Sequence, residues 1–196
     1  MIEAARSRQR PGHLEFREGD LREWEPDEPP DVLLANAVLH LVPDHLELVR
    51  RLAGFLAPGG VLGFQLPGAI PGSVMDVAQG LVTTDAWRDT LGDVLDAETV
   101  LAPIDYLTVL SDAGLEAEAW DTHYWLPMRG EDSLVGYAAG SVLRPALARL
   151  SPADADRFLT EYAGRLNAAQ SPRLIGGQRV EILHQRRVFA VGRRRP

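Results

Sequence analysis

The chain has 196 residues, 45% hydrophobic and 24% charged, which is enough for one domain with a sizeable core. Cysteine is absent and all 20 of the Lys+Arg residues are arginine, so disulfides, thiolate nucleophiles, Cys-ligated metals, Schiff-base lysines and Walker-type phosphate loops are excluded. The net charge of -8 argues against a nucleic-acid partner. The opening MIEAARSRQR lacks the apolar stretch of a signal peptide, and no run approaches the roughly 20 apolar residues of a membrane span. A cytoplasmic protein without a membrane partner is expected.

In chain order, Met1 to about Gln9 has helical composition. His13 to Glu18 alternates as a strand does. Gly19, Asp20 and Leu21 follow, then an acidic, Pro-rich loop to Pro30. Asp20 reads either as a turn residue or as an acceptor for a nucleoside. From Asp31 to Pro67 the pattern is strand, loop, helix, turn, strand. Asp31 to Ala35 is a short apolar run. After Asp44, a plausible helix cap, Leu46, Val49, Leu52, Ala53 and Leu56 recur at three- and four-residue steps and share one helical face. Pro58-Gly59-Gly60 stops that helix, and Val61 to Leu66 forms a second apolar strand. Such a βαβ unit binds ligands beyond the carboxyl ends of its strands. Asn36, His40 and Gln65 stand near those ends.

Ser73 to about Leu95 reads as one or two helices with Ser73 and Thr84 as N-caps. Pro103 to Asp112 reads as a helix with Pro at its start and Gly114 at its end. Leu115 to Leu126 is a long strand, Glu131 to Val142 and Ser151 to about Asn167 are helices, and Arg179 to Arg193 holds the last strand. Residues 69–102 and 127–178 read as helical insertions over one end of the sheet, suited to a lid. The five histidines show neither HxxxH nor HExxH spacing, so no metal site is expected. GxSxG and GxGxxG loops are both absent.

Three stretches carry a resemblance: GDLREW (Gly19 to Trp24), LLANAVLHLVPDH (Leu33 to His45) and LAPGGVLGFQLPG (Leu56 to Gly68). Together they resemble the second half of a class I S-adenosylmethionine-dependent methyltransferase, most closely the trans-aconitate 2-methyltransferases. YLTVLSDAG, EAWDTHYW, GSVLRPAL and RRVFAVGRR extend that resemblance over nearly the whole chain. It implies an α/β fold in a single domain: a Rossmann-like, mostly parallel sheet whose last strand is antiparallel, with helical lid insertions. MIEAAR resembles the helix that follows the family's ribose-binding acid, so the first strands and the glycine-rich loop are expected to be missing. That would expose a sheet edge suited to homo-oligomerisation.

The resemblance implies S-adenosylmethionine as cofactor and methyl transfer to a carboxylate of a small polycarboxylic acid. It implies cofactor contacts from Asp20, Leu21, Asn36, Ala37 and His40. For the acceptor, Gln65, Tyr106, Tyr124, Arg144 and Arg187 are the candidates, with Arg144 and Arg187 as carboxylate anchors. Each has a plainer reading beside it: a loop histidine, a strand-end amide, core tyrosines, a solvated arginine. Trp24, Trp120 and Trp125 read as packing groups. A carboxylate acceptor is ionised at neutral pH and needs no general base, so no catalytic residue is assigned. The alternative is a non-catalytic binding or interaction module.

Overall fold

A computed structural model describes residues 14–95 and 100–196. The βαβ unit forms as the periodicity requires: β1 (Val32–Asn36), α1 (His45–Phe55) and β2 (Val61–Gly68), with β1 and β2 parallel and Val32 opposite Val61. On α1, Leu48, Val49, Leu52 and Ala53 are buried, so the predicted face is the one that packs. The turn between α1 and β2 needs its glycines. Gly59 has φ +78, and a Cβ on Gly60 would stand 2.9 Å from the Ala57 carbonyl and 3.0 Å from that of Pro30.

The rest of the chain supplies α2 (Val74–Val82), α3 (Arg88–Leu91), α4 (Pro103–Asp112), β3 (Leu115–Arg129), α5 (Ser133–Gly140), α6 (Arg144–Leu147), α7 (Pro152–Ala169), β4 (Arg173–Ile175) and β5 (Gln178–Arg194). Ser73 and Ser151 cap α2 and α7, accepting from Asp76 and Asp154 N–H. Thr84 caps nothing by its side chain, because its hydroxyl donates to the Leu81 carbonyl. The short α6 and β4 have too few residues for a periodic signal. β4 pairs with β5 through Gly176-Gly177, both at positive φ.

Strand order is β1-β2-β5-β3, with β4 also against β5. The antiparallel last strand expected from the sequence is β5, and every antiparallel pairing of the described sheet includes it. Residues 1–13, including the expected first helix and His13, lie outside the described residues. Leu14 to Glu18 corrects the expected strand: it has no strand assignment, since no described strand pairs with it. β1 lies at the edge of the described sheet, with Val32 57% and Leu34 82% exposed.

There are two cores. One packs α1 and α4 against Leu62, Phe64 and Leu66 of β2 and Val188 and Ala190 of β5. The other joins α2, α3, α5, α6 and α7 around Trp87, Phe158 and Tyr162, and takes in Leu183. Leu183 and Val188 are an odd number of residues apart on one strand, so they face opposite sides. β5 therefore belongs to both cores and holds the helical cap to the sheet. Glu181 strengthens that join by accepting from Ser133 Oγ at 2.6 Å and from Leu134 N–H at 2.8 Å, at the start of α5. Among the described residues no helix is long and apolar enough to cross a membrane.

The glycines give a paired test. Gly60→Ala should destabilise the fold by about 1–3 kcal/mol, because the added methyl meets fixed backbone oxygens. Gly54→Ala, in α1 with nothing within 4 Å of its Cβ position, should stabilise it by about 0.5–1 kcal/mol. Denaturant unfolding reads both.

Candidate functional site

β1 and β2 are tied together where they end. Ala37 N–H donates to the Gln65 carbonyl at 2.8 Å. Ala37 holds a left-handed conformation, φ 52, which an alanine adopts only at a cost of about 1 kcal/mol. The chain then makes a 3-10 turn, Leu39–Leu41, in which Leu39 is fully buried and His40 is partly buried.

Among the described residues, two buried side-chain polar atoms lack a hydrogen-bond partner: His40 Nδ1 and Gln65 Nε2. Unpartnered buried polar atoms cost about 1–3 kcal/mol each and are rare. Both belong to residues singled out from the sequence: His40 stands in the turn just beyond β1, and Gln65 stands on β2 opposite Asn36, the last residue of β1.

Beside His40 opens a cavity of about 370 Å³ between the end of β2, the β5 strand and the cap helices α2 and α5. Arg186 and Arg187 reach it from β5, and Ser141, Val142 and Pro145 from the α5–α6 junction. Arg186 is paired with Asp121 at 2.8 Å. Arg187 has only a 3.3 Å bond to the Gln185 amide oxygen. Desolvation holds the His40 pKa below its usual value, with His45 and then Arg187 adding to the effect, so the ring is neutral at pH 7.

His40 and Arg187 are thus brought into one wall. Arg144 sits at the cap edge next to the lining Pro145, but it is exposed and does not itself line the cavity. Gln65 is not among the residues that line the cavity. Asn36 and Ala37 are exposed at the strand end.

The other candidates are held elsewhere. Asp20 closes a turn, with its carboxylate accepting from Arg22 N–H at 2.8 Å and from the Arg22 guanidinium at 2.5 Å. These bonds hold its pKa down at about 2. Leu21 packs on the first core, and its carbonyl accepts from Arg51. Tyr106 is fully buried, with its hydroxyl 2.9 Å from His45 Nε2 and accepting from Leu101 N–H. It does not reach the cavity. Tyr124 is 41% exposed, opposite Gln185 on β3, and does not line the cavity either. Of the three tryptophans read as packing groups, Trp24 lies edge-on to Phe55, while Trp120 and Trp125 stack on Phe189 and His184 but remain exposed.

Sequence reasoning missed Tyr137 and Gln185. Gln185 Nε2 donates to Tyr137 Oη at 2.9 Å in the cavity wall. The alternation of β5 puts Gln185 on the same side as Arg187, and that parity was the available signal. No group of three or more metal-ligating side chains is found among the described residues.

A parallel βαβ unit closed by an antiparallel strand, with a helical cap over its carboxyl ends, defines an α/β methyltransferase fold. The YcgJ protein of Bacillus subtilis shares that architecture at TM-score 0.52 and 18% identity, over 92% of this chain and 71% of that one. A methyltransferase domain model matches residues 1–64. The trans-aconitate 2-methyltransferase of Streptomyces coelicolor is 38% identical over 99% of this chain. That of Mycolicibacterium gilvum is 34% identical over 98% of this chain and 74% of its own length. The chain belongs to the trans-aconitate 2-methyltransferase family. It spans 65% of the length of the Streptomyces coelicolor relative. The alternative of a non-catalytic module finds no support in these comparisons.

Three measurements check the site. The folded-state pKa of His40 lies below its unfolded reference of 6.5. The unfolded chain therefore takes up this proton first as pH falls, and stability drops from pH 6.5 downward through the folded value. Arg187→Gln should shift the His40 titration upward in NMR, and His40→Gln should flatten that part of the stability profile. Tyr106→Phe should cost about 1–3 kcal/mol in denaturant unfolding and leave ligand affinity unchanged.

Proposed function

We propose that this chain carries out S-adenosylmethionine-dependent methyl transfer to a carboxylate of a small, trans-aconitate-like acid. The observation that carries the reading is the pair of unpartnered buried polar atoms, His40 Nδ1 just beyond β1 and Gln65 Nε2 on β2 opposite the last residue of β1. Ligands of open α/β sheets bind at that place, and a ligand would supply the missing partners. The names of the relatives support the acceptor, and their methyltransferase class supports the cofactor.

S-adenosylmethionine supplies a methyl group on a sulfonium, open to in-line displacement. On this chain Asn36, Ala37 and Gln65 would hold it, from the strand ends tied by the Ala37–Gln65 bond. Gln65 Nε2 is a free donor suited to a cofactor oxygen. Asp20 stays a weaker candidate, since its carboxylate is occupied by Arg22. Arg187 would anchor a carboxylate of the acceptor, because a partly buried guanidinium without an acidic partner favours an anion and offers it two parallel donors. His40, neutral by desolvation, would hydrogen-bond the acceptor rather than take a proton from it. An acceptor carboxylate, with a reference pKa of roughly 4, needs no base at neutral pH. The work left to the protein is alignment: attacking oxygen, methyl carbon and sulfur within about 3–3.5 Å in line, and water kept out by the cap.

Calorimetric titration of the full chain tests the reading. S-adenosylmethionine should bind, and Gln65→Ala should weaken it about tenfold, the effect of losing roughly 1.4 kcal/mol. Arg187→Gln should weaken acid binding by about 10- to 100-fold, whereas Arg144→Ala, at the exposed cap edge, should change it by less than about threefold. No heat at millimolar S-adenosylmethionine would rule the reading out.

A further inference from the structure

Gln185 lines the cavity, and both ends of its amide are in use. Its Oε1 accepts from Arg187 Nη2 at 3.3 Å, and its Nε2 donates to Tyr137 Oη at 2.9 Å. Gln185 and Arg187 are two apart on β5, so their side chains share one side of the strand. Tyr137 comes from α5, so the amide bridges the sheet and the cap. The arginine decides which way these bonds run. A guanidinium has five donors and no acceptor. Only the amide oxygen can face it, which fixes the flip of the amide and turns its nitrogen to Tyr137. The tyrosine oxygen must accept there, and its own proton is left over. Among the described residues the Tyr137 hydroxyl donates to none, because Ser141 Oγ bonds the Tyr137 carbonyl instead.

One amide thus sets two donors side by side in the cavity wall, the remaining N–H groups of Arg187 and the O–H of Tyr137. Among the described lining residues there is no Asp or Glu to take either of them. Resting on the methyl-transfer reading above, we propose that Tyr137 is a second anchor for the acceptor acid, and that Gln185 is the positioning residue that aims both Tyr137 and Arg187. The acid accepts a charge-assisted bond from Arg187 and a second bond from Tyr137 Oη. Gln185 touches neither the acid nor the methyl group. Its part is to hold the guanidinium in one orientation and to leave the tyrosine proton free. The start of α5 is already tied to β5 through Glu181. An acid held by Arg187 and Tyr137 together adds a second tie between strand and cap, across the site itself.

The test is titration of the full chain with trans-aconitate and with S-adenosylmethionine, beside denaturant unfolding. Tyr137→Phe keeps the ring and removes the proton, and should weaken trans-aconitate binding about tenfold. Gln185→Glu separates positioning from mere support. The new carboxylate can only accept, so it pairs with Arg187 and takes the Tyr137 proton. The bridge then persists and the unfolding midpoint should not fall, yet trans-aconitate should bind at least about tenfold more weakly. S-adenosylmethionine affinity should stay within about twofold in both variants. In a Gln185→Met background, Tyr137→Phe should cost less than about twofold, because the hydroxyl is no longer aimed. Trans-aconitate affinity within about twofold of the native chain in Tyr137→Phe overturns the proposal and leaves the methyl-transfer reading intact, and it decides alone should Gln185→Glu fail to fold. If the native chain binds S-adenosylmethionine and no trans-aconitate, the acceptor part of that reading falls and this proposal with it. If S-adenosylmethionine also fails to bind, the whole reading falls.

Discussion

The pairing of β5 is the interaction on which the rest of the structure depends. This strand runs antiparallel between β2 and β3, with Val61 opposite Arg193 at one end and Arg129 opposite Val180 at the other. Its ladder fixes which residues face which core. Val188 and Ala190 close the sheet core, and Leu183 enters the cap core. Because side chains alternate along a strand, a slip of one residue would exchange these faces and separate both cores at once. The same register sets Arg187 and Gln185 on one side at the mouth of the cavity.

The cap is held by polar contacts as well as by apolar packing. Tyr162 Oη donates to the Val74 carbonyl at 2.9 Å, fully buried, and burial pushes its own pKa up. Trp87 Nε1 donates to Glu161 at 3.0 Å while Arg157 lies 4.5 Å over its ring. Glu161 is only partly buried, so this ion cluster matters more for orienting Trp87 than for stability. The Glu181 carboxylate at the start of α5 does for the cap what β5 does for the sheet, joining the helix to the strand that carries the site. Cap position and site geometry are thereby linked. A change that moves α5 moves Tyr137, Ser141 and Val142 with it.

The site itself is marked by what it leaves unsatisfied. Elsewhere buried polar groups find partners, as Tyr106 does with His45 and Leu101. At the strand ends His40 Nδ1 and Gln65 Nε2 do not, and Ala37 keeps a strained backbone beside them. Uncompensated groups and strain gathered at one place are the usual mark of a binding site rather than of a stabilising core.

The βαβ unit was legible in the sequence because its signals are local. Three- and four-residue spacing set the buried face of α1, and the Pro58-Gly59-Gly60 turn set its end. The caps at Ser73 and Ser151 were legible for the same reason. His40, Gln65 and Arg187 stood out through their places near the strand ends and in β5. What the sequence could not decide was which side chains meet. Tyr106 and Tyr124 looked alike as aromatic donors, yet one is sealed against His45 and the other lies exposed on β3. Asp20 reads from sequence as a nucleoside acceptor or a turn residue, and only the structure shows its carboxylate accepting from Arg22. Leu14 to Glu18 alternates as a strand does but has no described strand to pair with. Local periodicity determined the elements. Only the tertiary pairing of β5, made between residues far apart in the chain, decided the cavity and placed Arg187, which has no carboxylate partner among the described residues, in its wall.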